Sequence, residues 1–219
     1  MSTYVLSDLH GQYDKFMDML KLTKFNDNDK MYILGDIFDR GPDPLKILDY
    51  VICRKNIDFI PGNHEYMFLE FYNTYDVRLW LCNGGRTTMT QLMKRGEDYL
   101  KALYDYLTKL PLVKIHDKFI LTHAGLYLPK NQNQYTLQEI LNLQNAEFNL
   151  WSRSNINNER QYKDYTVICG HTPTLYVDPD QYQMSIVRRE GTIYIDCGAT
   201  FSDGRLACLR LEDNKEFYI

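Results

Sequence analysis

A chain of 219 residues, 44% hydrophobic and 25% charged, has the length and composition of one sizeable soluble domain, residues 1–219. No run approaches the roughly 18 consecutive apolar residues a membrane span needs, and the opening MSTYVLSDLHG has neither the basic stretch nor the apolar run of a signal peptide. The net charge of −4 argues against a nucleic-acid partner, and five cysteines without a C-x-x-C pair fit reduced thiols in a cytoplasm better than a disulfide framework.

In chain order, Thr3–Leu6 reads as a buried strand, followed by a helix with Phe16, Met19, Leu20 and Thr23 on one face. Met31–Leu34 is the second strand. Asp43-Pro44 then looks like a helix cap with proline in the first turn, leading Leu45, Leu48 and Ile52. Ile57–Ile60 is the third strand. A helix over Asp98–Leu110, ending at Pro111, puts Leu100, Leu103, Tyr104 and Leu107 on one face. The second half is strand-rich: Val113–His116, Phe119–Thr122, Thr166–Cys169, Thr192–Asp196, Arg205–Leu211 and Glu216–Ile219. Pro129–Thr136 and Ser154–Asp164 are polar and read as surface loops, while Cys169 and Cys197 lie in apolar runs and pack in the core. Strand-helix-strand units followed by mainly strands predict an α/β layered domain with a mixed sheet or two packed sheets.

The chemistry lies where the strands end. Thr3–Leu6 runs into Ser7-Asp8-Leu9-His10-Gly11, and Met31–Leu34 into Gly35-Asp36-Ile37-Phe38-Asp39-Arg40-Gly41. Ile57–Ile60 leads to Gly62-Asn63-His64-Glu65, Phe119–Thr122 to His123-Ala124-Gly125, and Thr166–Cys169 to Gly170-His171-Thr172-Pro173. Five apolar runs thus deliver metal-competent side chains past their carboxyl ends, the edge where open α/β sheets bind ligands. Each motif alone has an ordinary reading, such as a turn aspartate, or a helix N-terminus with Asn63 as cap and Glu65 in the first turn. Four of the five histidines (His10, His64, His123, His171) nevertheless fall in these motifs, and only His116 does not. Mixed carboxylate and imidazole donors suit manganese, iron or zinc better than magnesium, and the two oxygens of Asp36 allow it to bridge two ions.

The ordered set SDLHG, GDIFDRG, GNHE, HAG and GHTP resembles the signature of the PPP family of metallophosphoesterases, the Ser/Thr protein phosphatases. With Trp151-Ser152-Arg153 and its compact length, the chain is most similar to the short bacterial and bacteriophage members. It departs from the family pattern at Ser7, where glycine is usual, and at Ala124, where eukaryotic members have glycine; neither position is a ligand. The resemblance implies a calcineurin-like metallophosphoesterase fold, with mixed β-sheets packed as a sandwich flanked by helices. It also implies one divalent ion held by Asp8, His10 and Asp36, and a second held by Asp36, Asn63, His123 and His171. Manganese is the expected metal, with iron or zinc as alternatives. Two such ions supply an acidified water for in-line attack on phosphorus. His64 would protonate the leaving oxygen with Asp39 orienting its imidazole, and Arg40, Asn63 and Arg153 would contact the phosphate.

The leading expectation is a phosphoprotein phosphatase acting on phosphoserine and phosphothreonine, with phosphotyrosine also open, in the cytoplasm. Its partner would be a phosphoprotein or phosphopeptide; nucleic acid, membrane and a regulatory subunit are not expected. The alternative is a symmetrical bis(5′-nucleosyl)-tetraphosphatase using the same metals. Retention of Asp39-Arg40, Glu65 and Thr172-Pro173 tilts the reading toward the phosphatase.

Overall fold

The computed structural model describes residues 1–156 and 161–219. Two five-stranded mixed sheets pack face to face with helices outside them. The first sheet has the order β10-β9-β1-β2-β3, from Lys215–Tyr218, Ala207–Arg210, Thr3–Leu6, Lys30–Leu34 and Ile57–Ile60. The second has the order β4-β5-β6-β8-β7, from Val113–His116, Phe119–Thr122, Thr166–Cys169, Thr192–Tyr194 and Val187–Arg189.

The strands at each sheet's centre are covered on both faces and therefore read as unbroken apolar runs. Alternation assigns the faces. Val5, Tyr32, Leu34, Leu121, Ile168, Ile193 and Leu209 meet between the sheets. Tyr4, Leu6, Met31, Ile33 and Phe59 point the other way, onto helices α1 (Tyr13–Thr23), α2 (Pro44–Ile52), α3 (Asn63–Thr74) and α6 (Glu97–Leu107). On the far face of the second sheet, Ile120 and Val167 pack with Leu126, Ile140 and Tyr162. In the first sheet β1 pairs parallel with β2 and β2 with β3; in the second β5 pairs parallel with β6 and β6 with β8. The carboxyl ends of each parallel trio therefore share an edge.

Several elements differ from expectation. In α2 the buried face is Pro44, Leu45, Ile47, Leu48 and Val51, while Ile52, the last residue of the helix, is exposed. Helix α6 ends at Leu107, three residues short of Leu110. The strands expected over Thr192–Asp196 and Arg205–Leu211 are trimmed to β8 and β9, and β10 begins one residue early at Lys215. The edge strand β7 carries two exposed arginines and so lacks an apolar pattern. Helices α4 (Arg78–Cys82) and α5 (Arg86–Arg95) bury only Trp80, and only Thr88 and Leu92, too little for a readable stripe. Three short helices, α7 (Leu137–Asn142), α8 (Ala146–Trp151) and α9 (Thr174–Val177), complete the set among the described residues. The loop expected over Pro129–Thr136 contains a 3₁₀ turn at Gln132–Gln134, and that over Ser154–Asp164 begins with another at Ser154–Ile156; its residues 157–160 lie outside the described residues. Among the described residues no helix is long and apolar enough to cross a membrane. All five cysteines are free, with Cys169 and Cys197 buried as expected.

Candidate metal centre

The loops leaving β1 and β2 bend sharply. Asp8, His10, Asp36, Asp39, Arg40 and His171 all have positive φ, between 40° and 71°. This region is sparsely used by residues other than glycine, and its concentration at chemical side chains marks a site where backbone strain is held by the surrounding structure. The curl is fixed by backbone bonds across the two loops: His10 N–H to Asp36 O at 2.8 Å, Gly11 N–H to Ile37 O at 2.8 Å, and Gly41 N–H to His10 O at 3.0 Å.

A buried carboxylate completes the lock. Glu65 Oε2 accepts from the N–H groups of Gly62 at 2.7 Å and Asp36 at 2.9 Å, and Oε1 from Ile37 at 2.9 Å and Phe38 at 3.0 Å. Helix α3 starts at Asn63 with Gly62 as its cap, so Glu65 also sits in the favourable positive end of the helix dipole. Burial pushes its carboxyl up from the ordinary value, and the Gly62, Phe38 and Asp36 N–H groups pull against that shift.

Asp36 stands at the middle, 2% exposed. Its Oδ2 lies 3.6 Å from His10 Nε2, and its Oδ1 lies 3.5 Å from His123 Nε2 and accepts the His64 N–H at 3.1 Å. The two oxygens thus face different histidines. Close approach demands glycine nearby: a Cβ on Gly62 would sit 2.1 Å from Asp36 Oδ1, and one on Gly170 would sit 2.0 Å from Asp8 Oδ2.

The ring orientations are set by carbonyls. His10 Nδ1 donates to Phe38 O at 2.8 Å and His123 Nδ1 to Leu34 O at 2.7 Å, which leaves both Nε2 atoms as lone-pair donors toward the cluster. Asn63 Oδ1 meets His123 Nε2 and His171 Nδ1 at 2.9 Å each, and the His171 ring also bonds the Trp151 backbone carbonyl. The His123 lone pair and the amide oxygen thus converge as acceptors, an arrangement a shared cation satisfies.

Ligand-type atoms of His10, Asp36 and His64 lie within 4.8 Å of one another, as do those of Asp36, His123 and His171. Asp8 stands beside rather than within these tight groups; its two oxygens accept the His171 N–H at 3.2 and 3.0 Å. Burial pushes Asp8 and Asp36 well above ordinary carboxylate values, with Asp196 adding to the first and Glu65 to the second. Burial drives His10, His64 and His171 down, the last to about 2, so these imidazoles favour the neutral form until a nearby anion offsets the shift. Neutral rings and crowded carboxylates fit divalent cations, whose charge reverses the repulsion.

His64 has a different partner set. Its Nδ1 donates to Asp39 Oδ2 at 2.7 Å, and its Nε2 accepts from Arg40 Nη2 at 3.1 Å. Arg40 also donates from Nη1 to His10 Nε2 at 2.8 Å. Arg153 is exposed, with its charge felt at both His171 and Asp196.

Three contributors escape sequence reasoning. Trp80 Nε1 donates to Asp39 Oδ2 at 2.8 Å, and Thr88 Oγ1 accepts the Asp39 N–H at 2.8 Å. Burial raises Asp39 to about 7, while Thr88, Trp80 and Arg40 pull it back. The third is Asp196, buried just past β8, with Oδ1 accepting the Gly198 N–H at 2.9 Å. It is a sixth strand-end side chain, and the strand-end rule finds it once β8 stops at Tyr194.

The calcineurin-like phosphoesterase family profile matches residues 1–211. A symmetrical bis(5′-nucleosyl)-tetraphosphatase of Wigglesworthia glossinidia brevipalpis is 37% identical over 59% of this chain and 46% of its own length. One of Buchnera aphidicola is 32% identical over 74% of this chain and 59% of its own. The chain therefore spans about half the length of these curated relatives. Serine/threonine-protein phosphatase 1 of Salmonella typhimurium is 29% identical over 95% of this chain and 91% of its own. Among solved structures, a cold-active protein-tyrosine phosphatase of a psychrophilic Shewanella has the same fold, with a TM-score of 0.63 at 20% identity over 99% of this chain and 80% of that one. On the family profile, the chain belongs to the calcineurin-like phosphoesterases.

Proposed function

We propose that the chain, acting as one domain, is a symmetrical dinucleoside tetraphosphate hydrolase, splitting its substrate at the central anhydride into two nucleoside diphosphates. The observation that carries the substrate class is the 37% identity to the tetraphosphatase of Wigglesworthia glossinidia brevipalpis. This reverses the expected order of substrates, because the tilt toward a protein phosphatase rested on Asp39-Arg40, Glu65 and Thr172-Pro173. Asp39, Arg40 and Glu65 shape the metal centre and its acid pair, which serve a phosphoester and a phosphoanhydride alike.

Asp8, His10 and Asp36 would hold one cation, and Asp36, Asn63, His123 and His171 the other, with manganese the preferred ion and iron or zinc as alternatives. When bound, two divalent ions supply Lewis acidity and an acidified water. Arg40 and Arg153 bind non-bridging phosphate oxygens, offsetting the growing charge. As the phosphorus–oxygen bond breaks, His64 gives a proton from Nε2 to the leaving oxygen, and Asp39 stabilises the ring through Nδ1.

A second reading, phosphoprotein monoester hydrolysis, draws on the nearly full-length match to the Salmonella phosphatase. The five free cysteines support the expected cytoplasmic setting under either reading. The manganese-loaded protein assayed on diadenosine tetraphosphate and on phosphoserine, phosphothreonine and phosphotyrosine peptides separates the two. The tetraphosphatase reading expects adenosine diphosphate as the sole nucleotide product and a higher kcat/KM on the dinucleotide; peptide turnover with an intact dinucleotide overturns it. His64→Asn sharpens the result. A nucleoside diphosphate leaves more readily than a serine alkoxide, so loss of the acid costs roughly 10²–10⁴-fold on the peptide and less on the dinucleotide.

A further inference from the structure

Beside the metal centre a cleft of about 420 Å³ opens between Tyr127, Asn145, Glu147, Phe148, Trp151 and Ser152. Its volume lies within the range of roughly 300–1,000 Å³ common to small-molecule sites. Both walls are tied to the centre. Tyr127 follows His123 by four residues along one loop, and Ala124 N–H bonds Asn149 O at 2.7 Å, joining that loop to α8. From the other side, the Trp151 carbonyl bonds the His171 ring, and Arg153 follows two residues later with its charge felt at His171. The cleft thus begins where a phosphate held at the centre would carry the rest of its molecule.

Its chemistry is aromatic with a polar rim. The Tyr127 and Phe148 rings meet edge to face, centroids 5.5 Å apart at 79°, and Tyr127 is 38% exposed. Trp151 is partly buried at the inner end, and Asn145, Glu147 and Ser152 edge the opening. Flat π-faces beside an arginine suit a nucleobase, which stacks on aromatic side chains, and a rim carboxylate can accept the N–H groups of a purine edge. A phosphoserine or phosphothreonine peptide offers no such flat group next to its phosphate, and a phosphotyrosine ring lacks the N–H edge of a purine. From this we infer that the Tyr127–Phe148–Trp151 cleft is a nucleobase subsite, holding one base of a nucleotide whose phosphate lies between Arg153 and His171. The inference rests on the dinucleotide reading and names the residues that select that substrate.

The chain has two tryptophans, and Trp80 is buried at 1% exposure, so emission that responds to a ligand reports Trp151. Adenosine monophosphate titrated into the 219-residue chain should quench that emission, whereas ribose 5-phosphate should not. In Trp151→Phe the quench should vanish although Trp80 remains. An equal response to both phosphates, or a quench that survives in Trp151→Phe, overturns the subsite. In steady state, Trp151→Leu and Tyr127→Leu should each raise the KM for diadenosine tetraphosphate roughly tenfold relative to that for a phosphoserine peptide. A wild-type protein that cleaves the dinucleotide but whose KM ratio is unmoved in both variants removes the subsite and leaves the substrate reading intact. Selective quenching by adenosine monophosphate without dinucleotide cleavage supports the subsite and removes that reading.

Discussion

The loops leaving β1 and β2 are locked to one another through main-chain bonds and to the loop leaving β3 through the Glu65 carboxylate, whereas those leaving β5, β6 and β8 meet them largely through side chains. On the first side, the His10, Gly11 and Gly41 N–H groups bond across the loops, and Glu65 gathers four more N–H groups. On the second, His123 and His171 reach across to Asn63, and the His171 N–H is received by the Asp8 carboxylate. Both arginines are exposed, but Arg40 is bonded to His10 and His64, while Arg153 lies beside the aromatic cleft. A backbone-bonded frame tolerates little displacement of a reacting group, and each set of loops has one, since Gly170 N–H also bonds His123 O and Thr174 N–H bonds Asp196 O at 2.8 Å each. The first sheet's edge carries the acid pair and Arg40, while the second's carries His123 and His171 and, beyond them, the aromatic cleft suited to substrate selection.

The largest break expected in this arrangement is Asp36→Asn, which removes the one carboxylate facing both His10 and His123. Metal analysis of the reconstituted variant should find fewer than two ions per chain, with turnover lost; two retained ions would remove the bridging role. Next in size is Glu65→Gln, which puts an NH₂ group against backbone N–H donors. Breaking a buried charged network of this kind costs about 3–5 kcal/mol. For a chain of this size that corresponds to a melting temperature lower by roughly 6–20 °C. A melting temperature unchanged in Glu65→Gln would deny the frame its lock.

The arginines test the division more finely. Arg40→Ala should act chiefly on kcat, because its guanidinium lies on the two histidines nearest the chemistry. Arg153→Ala should act chiefly on KM, by roughly tenfold for the loss of a charge-assisted contact of ~1.5 kcal/mol. If both variants changed kcat alone, the two sheets would not differ in the way described.

Much of this was legible in the sequence because a buried parallel strand is an unbroken apolar run, and a ligand just past it is punctuated by glycine. The rule placed Asp8, Asp36, Asn63, His123 and His171 at their strand ends. It missed Asp196 because Tyr194-Ile195-Asp196 continues the apolar pattern past the point where pairing stops, so the acid read as part of the strand. Trp80 was invisible for another reason: it lies 41 residues from Asp39, on a five-residue helix with no apolar stripe. The four bonds of Glu65 were hidden because a glutamate in a first helical turn already has an ordinary explanation. The substrate was less legible than the site, since hydrolysis of an ester and of an anhydride asks for the same ions, acid and arginine.

Trp80 gives the smallest and most specific test of the acid pair's side. Asp39 must be ionised to hold His64 Nδ1–H and stabilise the protonated ring, so activity should rise with pH as Asp39 loses its proton near about 7. The Trp80 N–H favours the ionised form. Trp80→Phe removes that donor while keeping an aromatic ring among Phe68 and Phe71, so Asp39 should ionise later and the acidic limb of kcat should move to higher pH. A hydrogen bond to a charged group is worth about 1.5–3 kcal/mol, and one pKa unit is 1.36 kcal/mol, so the displacement should be roughly one to two units. Above both limbs, variant and wild type should converge. A merely structural role for Trp80 would instead lower turnover equally at every pH, and that outcome would detach it from the His64–Asp39 pair.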